Sequence, residues 1–182
     1  MPKHEDAGRD VRLIMKAVEF ATRAHGKQVR KYSGLPYIVH PIAVARLLSE
    51  NLPYDLDMIV AALLHDTVED TDTSLATIHM LFGWRVTLLV KALTNPPSKE
   101  NRATRKAADL KRLAAAGSAP QSIKLADLVD NVVDIVQWDQ KFAKVFVGEM
   151  EALVNALTKA DKWMQAIARG ALTTAKKELG ME

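Results

Sequence analysis

Between Ala61 and Thr71 the chain reads AALLHDTVEDT, and four of its residues, His65, Asp66, Glu69 and Asp70, are of the types that do chemistry. On a helix of about 3.6 residues per turn, Glu69 falls one turn beyond His65 and Asp70 one turn beyond Asp66, so all four project toward neighbouring sectors of one side. Ala61, Ala62, Leu63 and Leu64 precede them and imply burial. Buried like charges need a compensating metal ion or base. Two further places offer ligands beside apolar helices: His40, immediately before Pro41, and Asp127 in KLADLVDN. The two imidazoles and two carboxylates of His40, His65, Asp66 and Asp127 suit a borderline divalent cation such as Mn²⁺, Fe²⁺, Co²⁺, Ni²⁺ or Zn²⁺, and do not suit Ca²⁺. Each residue also has a plainer reading by itself. A buried histidine is commonly a satisfied core residue, and Asp127 has Lys124 one helical turn away.

The composition narrows the chemistry. Cysteine is absent, which excludes disulfides, Cys-ligated zinc, Fe–S clusters and thiol catalysis together. The formal net charge of +3 is too small to point to nucleic acid by itself, and no stable nucleic-acid partner is expected. No signal-peptide core opens the sequence, and the apolar run Met58 to Leu64 is far too short to span a bilayer, so the cytoplasm is the expected compartment and no membrane partner is expected.

Helices must position these residues. The sequence suits one domain over residues 1–182, all-α, an orthogonal bundle of about eight helices, with no convincing strand pattern. Met1 to Ala7 reads as a loose tail with an idle His4, followed by a helix from about Asp10 to Ala24. His25 to Pro41 reads as a cation-rich loop, because Gly26, Gly34, Pro36 and Pro41 interrupt regular structure. A helix follows from Pro41 to Asn51, and Pro53 closes the connection. The Met58 to Val68 helix, capped by Asp55 or Asp57, is apolar nearly all round and is the expected buried centre. Leu75 to Phe82, with Thr73 or Ser74 as cap, and Trp84 to Thr94 give two more. A charged helix then runs to Gly117 as its C-terminal cap, and Pro120 opens a long apolar helix to Trp138. Residues 140–182 supply the last helices, roughly Lys141 to Lys159 and Asp161 to Leu179. Trp84, Trp138 and Trp163 are expected to pack. Trp163 and Met164 suit either the core or a homo-oligomer face.

A histidine, then an adjacent His-Asp, then a distant Asp, here His40, His65-Asp66 and Asp127, resembles the pattern of the HD-domain metal-dependent phosphohydrolases. The segments AHGKQVRKYSGLPYIVHPIAVA, AALLHDTVEDTDTSLATIHMLFG and IKLADLVDN are similar, in order, to one branch: the hydrolase domain of RelA/SpoT homologues in its stand-alone form, the small alarmone hydrolases. The resemblance implies removal of the 3′-pyrophosphate from guanosine tetra- or pentaphosphate in the stringent response, giving GDP or GTP and pyrophosphate, with Mn²⁺ as the usual metal. His40, His65, Asp66 and Asp127 would hold that metal. From the family's HDxxED motif, Glu69 and Asp70 would orient and deprotonate the attacking water. Arg30 and Lys31 match an Arg-Lys pair that lies beside base and phosphates, and Arg also stacks on purines. Asn131 would bind the substrate sugar or phosphate. Lys124 either joins it or pairs with a carboxylate. Lys27 reads as a solvated loop residue, and the basic stretch Arg102, Arg105, Lys106, Lys111 and Arg112 as a solvated helix face with one or two members in reach of the leaving pyrophosphate. For His25, a structural hydrogen bond is expected. His79 reads as idle.

The chain also departs from the family. Where KLADRLHN and further basic residues are usual, Leu128, Asp130, Val132 and Val133 remove positive charge and add a negative one. A later tyrosine would fall near Phe146. Adenosine alarmones or another phosphorylated nucleotide, NADPH among them, are therefore alternative substrates. Two other classes compete: a nucleotide-binding module without turnover, against which the retained acidic residues argue, and a nucleic-acid phosphodiesterase on the same scaffold. Beyond Asn131 the sequence reads as two helices without room for alarmone synthesis.

Overall fold

The computed structural model describes residues 4–50 and 55–181, and among them every regular element is an α-helix. The expected helix end at Asn51, the closing Pro53 and the first tail residues lie outside that range. The helices are α1 (His4–His25), α2 (Val39–Ser49), α3 (Leu56–Leu64), α4 (Thr67–Asp70), α5 (Leu75–Phe82), α6 (Trp84–Leu93), α7 (Arg102–Ala115), α8 (Ser118–Trp138), α9 (Gln140–Ala156) and α10 (Lys162–Glu178). They belong to two compact units: one takes the chain to Val29 and from Leu35 to Thr94, the other takes Arg30–Gly34 and the chain from Asn95 onward. No helix among the described residues is long and apolar enough to cross a membrane.

In the first unit α3 is the centre, as its all-round apolar sequence requires. Ile59 to Leu64 are all buried, and α1, α2 and α6 pack around them. Asp55 is the cap, accepting from the Asp57 and Met58 amides at 3.1 and 3.3 Å. The single helix expected from Met58 to Val68 is broken, however, and α4 follows separately. Side chains compete for the carbonyls at the break: His65 Nδ1 lies 2.8 Å from the Ala62 oxygen, and the Thr67 hydroxyl donates to Leu64 at 2.7 Å. The Asp70 amide still reaches the Asp66 carbonyl at 2.9 Å, so the one-turn spacing of those two residues survives. Ser74 caps α5 through the Thr77 amide.

Two starts differ from expectation. Helix α1 begins at His4 rather than Asp10. Helix α2 begins at Val39, so His40 stands within its first turn and not on a loop; the missing amide of Pro41 costs nothing there.

In the second unit α8 is central, with α7, α9 and α10 against it. Gly117 precedes α8 as its N-cap instead of closing α7, which Ala116 ends. Pro120 therefore lies inside the first turn of α8. Gln121 is fully buried; its amide nitrogen donates to the carbonyls of Leu113, Ala114 and Ala116, and its oxygen accepts from the Lys159 amide at 2.8 Å. It thus satisfies the carbonyl end of α7 and the turn before α10 at once. Met164 belongs to the core, 1% exposed. Trp84 and Trp138 do not: they are 63% and 59% exposed. Each stands at an end of its helix, beyond the stripe that the neighbours cover.

Candidate functional site

Within the first unit the break after Leu64 turns Asp66 back toward the first turn of α2. Its Oδ2 lies 3.1 Å from His65 Nε2 and 3.6 Å from His40 Nε2. The two rings, both buried, stand 5.2 Å apart at 64°. A carbonyl only accepts, so the contact with Ala62 fixes the proton of His65 on Nδ1 and turns the lone pair of Nε2 toward Asp66. Two imidazoles and a carboxylate so arranged are the donor set of a divalent transition metal. Tyr37 adds a partner that the sequence did not reveal: its hydroxyl donates to the same Asp66 oxygen at 2.6 Å.

Glu69 and Asp70 follow on α4, at the exposed end of the same turn. The carboxyl of Asp70 is itself partly buried, and this burial, then the neighbouring carboxylates of Asp66 and Glu69, hold it above the ordinary aspartate range. A carboxyl in that condition takes a proton more readily than a solvated one. Gln28 braces this corner. Its amide nitrogen donates to the Asp70 carbonyl at 2.8 Å while its oxygen faces Nδ1 of buried His25 at 2.8 Å. The structural hydrogen bond expected of His25 is therefore present, and the histidine ring also lies 4.6 Å from that of Tyr37.

Within the second unit Asp127 is buried on α8 with its two oxygens engaged separately. Lys124 reaches Oδ2 and Asn131 reaches Oδ1, each at 2.6 Å, from one turn before and one turn after. Arg30 meets the same helix further along: its guanidinium lies 2.5 Å from Asp130, 2.7 Å from Asp134 and 3.5 Å from Asn131 Oδ1. Burial opposes the Arg30 charge, and the two carboxylates outweigh it, holding the pKa above the ordinary value. Lys31 is exposed, bonded to the Tyr32 hydroxyl at 3.0 Å and 5.7 Å from the centre of the Phe142 ring. In the basic stretch, Arg102 forks onto Glu149 at 2.7 and 2.8 Å, and Arg112 reaches Asn95. Lys106 is no ordinary solvated lysine. Burial, followed by the charges of Lys124 and Arg102, lowers its pKa.

The first unit thus brings His40, His65 and Asp66 together with Glu69 and Asp70 on the adjoining helix. The second brings Asp127, Lys124, Asn131 and Arg30 together, with Lys31 on the same short segment as Arg30. Tyr37, Gln28 and Asp134 were missed. The available signal was position: Tyr37 precedes His40 by three residues, and Asp134 stands one turn beyond Asp130.

The HD-domain family model matches residues 17–115, which include His40, His65, Asp66, Glu69 and Asp70. The human guanosine-3′,5′-bis(diphosphate) 3′-pyrophosphohydrolase MESH1 is 38% identical over 130 residues, 70% of this chain and 72% of that one. A guanosine-3′,5′-bis(diphosphate) 3′-pyrophosphohydrolase of Aquifex aeolicus is 39% identical over 82% of this chain, which spans only 22% of that longer protein. Among solved structures, a metazoan orthologue of SpoT, described as hydrolysing ppGpp and acting in starvation responses, superposes with a TM-score of 0.81 at 29% identity, covering 100% of this chain and 99% of that one. With an intact His, His-Asp and Glu-Asp set inside the matched residues, the chain belongs to the HD-domain family, in the branch that includes these 3′-pyrophosphohydrolases.

Proposed function

We infer that the protein hydrolyses the 3′-pyrophosphate of guanosine tetra- and pentaphosphate, giving GDP or GTP and pyrophosphate, and so removes the stringent-response signal. The observation that carries this reading is Asp66 set against the Nε2 atoms of two buried histidines, in a chain similar over most of its length to enzymes with that activity. Residues 1–182 act as one cytoplasmic hydrolase domain in this reading, and the substrate is a phosphorylated purine nucleotide.

His40, His65 and Asp66, joined by Asp127, would hold Mn²⁺; when bound, it supplies Lewis acidity at the phosphoryl oxygens. Glu69 and Asp70 orient the attacking water and take its proton. Asp70 suits that task because burial and the neighbouring carboxylates of Asp66 and Glu69 raise its pKa, which makes it a stronger base than a solvated aspartate. The water oxygen bonds to the phosphorus attached to ribose O3′, the O3′–P bond breaks, and O3′ leaves with a proton returned by the same carboxyl. Arg30, Lys31, Asn131 and Lys124 meet the anionic substrate, whose several charges need cationic side chains at hand.

Pyrophosphate release from guanosine tetraphosphate by the Mn²⁺-loaded protein tests the reading, alongside the adenosine counterpart, NADPH and a Glu69→Gln control. Turnover of the guanosine compound is expected, with the control binding Mn²⁺ and releasing no pyrophosphate. Phosphate or pyrophosphate from NADPH or the adenosine compound alone would move the assignment to that nucleotide.

A further inference from the structure

We propose that His25 is a positioning residue for Asp70: its Nδ1 proton orients the Gln28 side-chain amide, and that amide holds the end of α4. This rests on the hydrolase reading above for its kinetic consequences, though not for its structural ones.

Helix α1 ends at His25, and Gly26, at a φ of 53°, takes the left-handed conformation that reverses the chain there. The Gln28 amide closes the turn on the His25 carbonyl at 2.9 Å, which carries the Gln28 side chain back to the last turn of α1. The two polar ends of that side chain then meet different partners. The carbonyl of Asp70 can only accept, so the Gln28 atom that meets it at 2.8 Å is the nitrogen. The oxygen is left facing Nδ1 of His25, also at 2.8 Å, and two acceptors there would repel. Nδ1 therefore carries a proton. The other ring nitrogen, Nε2, is buried with no hydrogen-bond partner among the described residues, as suits a ring whose donor is Nδ1.

The exposed residue depends on the buried one. Gln28 is exposed, so water competes for its bond to Asp70, whereas His25 is 3% exposed and its ring packs 4.6 Å from that of Tyr37. The imidazole is the fixed point that selects one orientation of the amide. Helix α4 needs such a tie: it has four residues and stands apart from α3 after the break at Leu64, and a single turn is marginal by itself. Gln28 also serves Asp66, but by another route. Its main-chain carbonyl accepts from the Tyr37 amide at 2.9 Å, and the Tyr37 hydroxyl reaches Asp66. That second link runs through the backbone and survives replacement of the Gln28 side chain. Side-chain variants at positions 25 and 28 thus separate Asp70 from the proposed metal ligand.

Nitrogen-15 chemical shifts of the His25 ring in the metal-free, unaltered protein should show Nδ1 protonated; a proton on Nε2 alone would overturn the proposal. His25→Leu and Gln28→Met should each lower kcat for guanosine tetraphosphate by roughly ten- to a hundredfold. KM and Mn²⁺ affinity should stay as they are, because the substrate and metal groups are not touched. The double variant should lose little more than either single one, since the same link is cut each time, and losses that multiply would count against the link. His25→Asn places an amide nitrogen as many bonds from Cβ as Nδ1 and should recover most of the turnover lost in His25→Leu. If the imidazole only fills space, leucine outperforms asparagine, and that order overturns the proposal. Hydrogen exchange in the metal-free protein reads the same link without substrate. The Asp70 amide should exchange about tenfold faster in both single variants, with the Ala168 amide of α10 unchanged. Unchanged exchange at Asp70 would also overturn the proposal. Should His25→Leu unfold, Gln28→Met, at an exposed side chain, cuts the link and reads the same amide. Absence of turnover in the unaltered protein would sink the substrate reading, while the ring proton and the Asp70 amide would still decide the role of His25.

Discussion

Tyr37 donates its hydroxyl to Oδ2 of Asp66 across 29 residues of sequence at 2.6 Å, on the oxygen that also faces His40 and His65. Such an outer partner fixes the direction of a ligating carboxylate and is commonly worth ten- to a hundredfold in metal affinity. Tyr37→Phe should therefore weaken Mn²⁺ binding by about that factor, while turnover at saturating Mn²⁺ falls far less. Isothermal titration of the metal-free variant measures the first effect directly. Equal affinity in the two proteins would show that the hydroxyl is only a packing contact.

The raised pKa of Asp70 carries a signed consequence for stability. In the interval between its ordinary and its raised value, the folded chain holds a proton that the unfolded chain has released, so stability falls as pH rises through that interval. Its contribution is complete below the ordinary value. Asp70→Asn cannot ionise, and the metal-free variant should melt at a higher temperature than the unaltered protein at neutral pH and at nearly the same temperature in acid. Parallel thermal melts across that range test it; a difference that is constant with pH would refute the assignment.

Lys124 neutralises buried Asp127 in the metal-free protein. Replacing it with methionine should cost on the order of 2 kcal/mol, short of the full cost of breaking a buried pair because Lys124 is partly exposed. If Asp127 is a metal ligand, Mn²⁺ then supplies the missing charge, and the melting temperature of Lys124→Met should rise with added Mn²⁺ by more than that of the unaltered protein. A smaller rise would separate Asp127 from the metal.

Gln121 joins the end of α7 to the turn before α10 by four hydrogen bonds inside the core. Leucine is near its size and can make none of them, leaving carbonyls and an amide buried without their partner. Gln121→Leu should lose on the order of 3 kcal/mol in urea unfolding. A loss below about 1 kcal/mol would mean that water replaces the side chain.

Much of the helical order was legible because local rules act over a few residues. The apolar run of α3 marked a buried centre, that of α8 a long apolar helix, and residue type alone narrowed two caps to Asp55 or Asp57 and to Thr73 or Ser74. Where local rules competed, the sequence could not rank them. Pro41 and Pro120 were read as first helical residues, yet both fit anywhere in a first turn, where an amide is not needed. The break after Leu64 depended on side chains of His65 and Thr67 taking carbonyls from the helix, a choice the apolar pattern does not record.

The candidate site divides in the same way. The sequence by itself determined which donors exist: two imidazoles, the acidic residues beside His65, and a later aspartate on an apolar helix, with no thiol to compete. Their chemistry follows from side-chain type and holds wherever the chain puts them. Only the tertiary structure decided their partners. Arg30 pairs with Asp130 and Asp134, which lie a hundred or more positions away in the chain. Tyr37, which no sequence pattern singled out, meets Asp66 across 29 residues. Hydrogen bonds and ion pairs form between groups that folding makes neighbours, and no local pattern in the sequence encodes that distance.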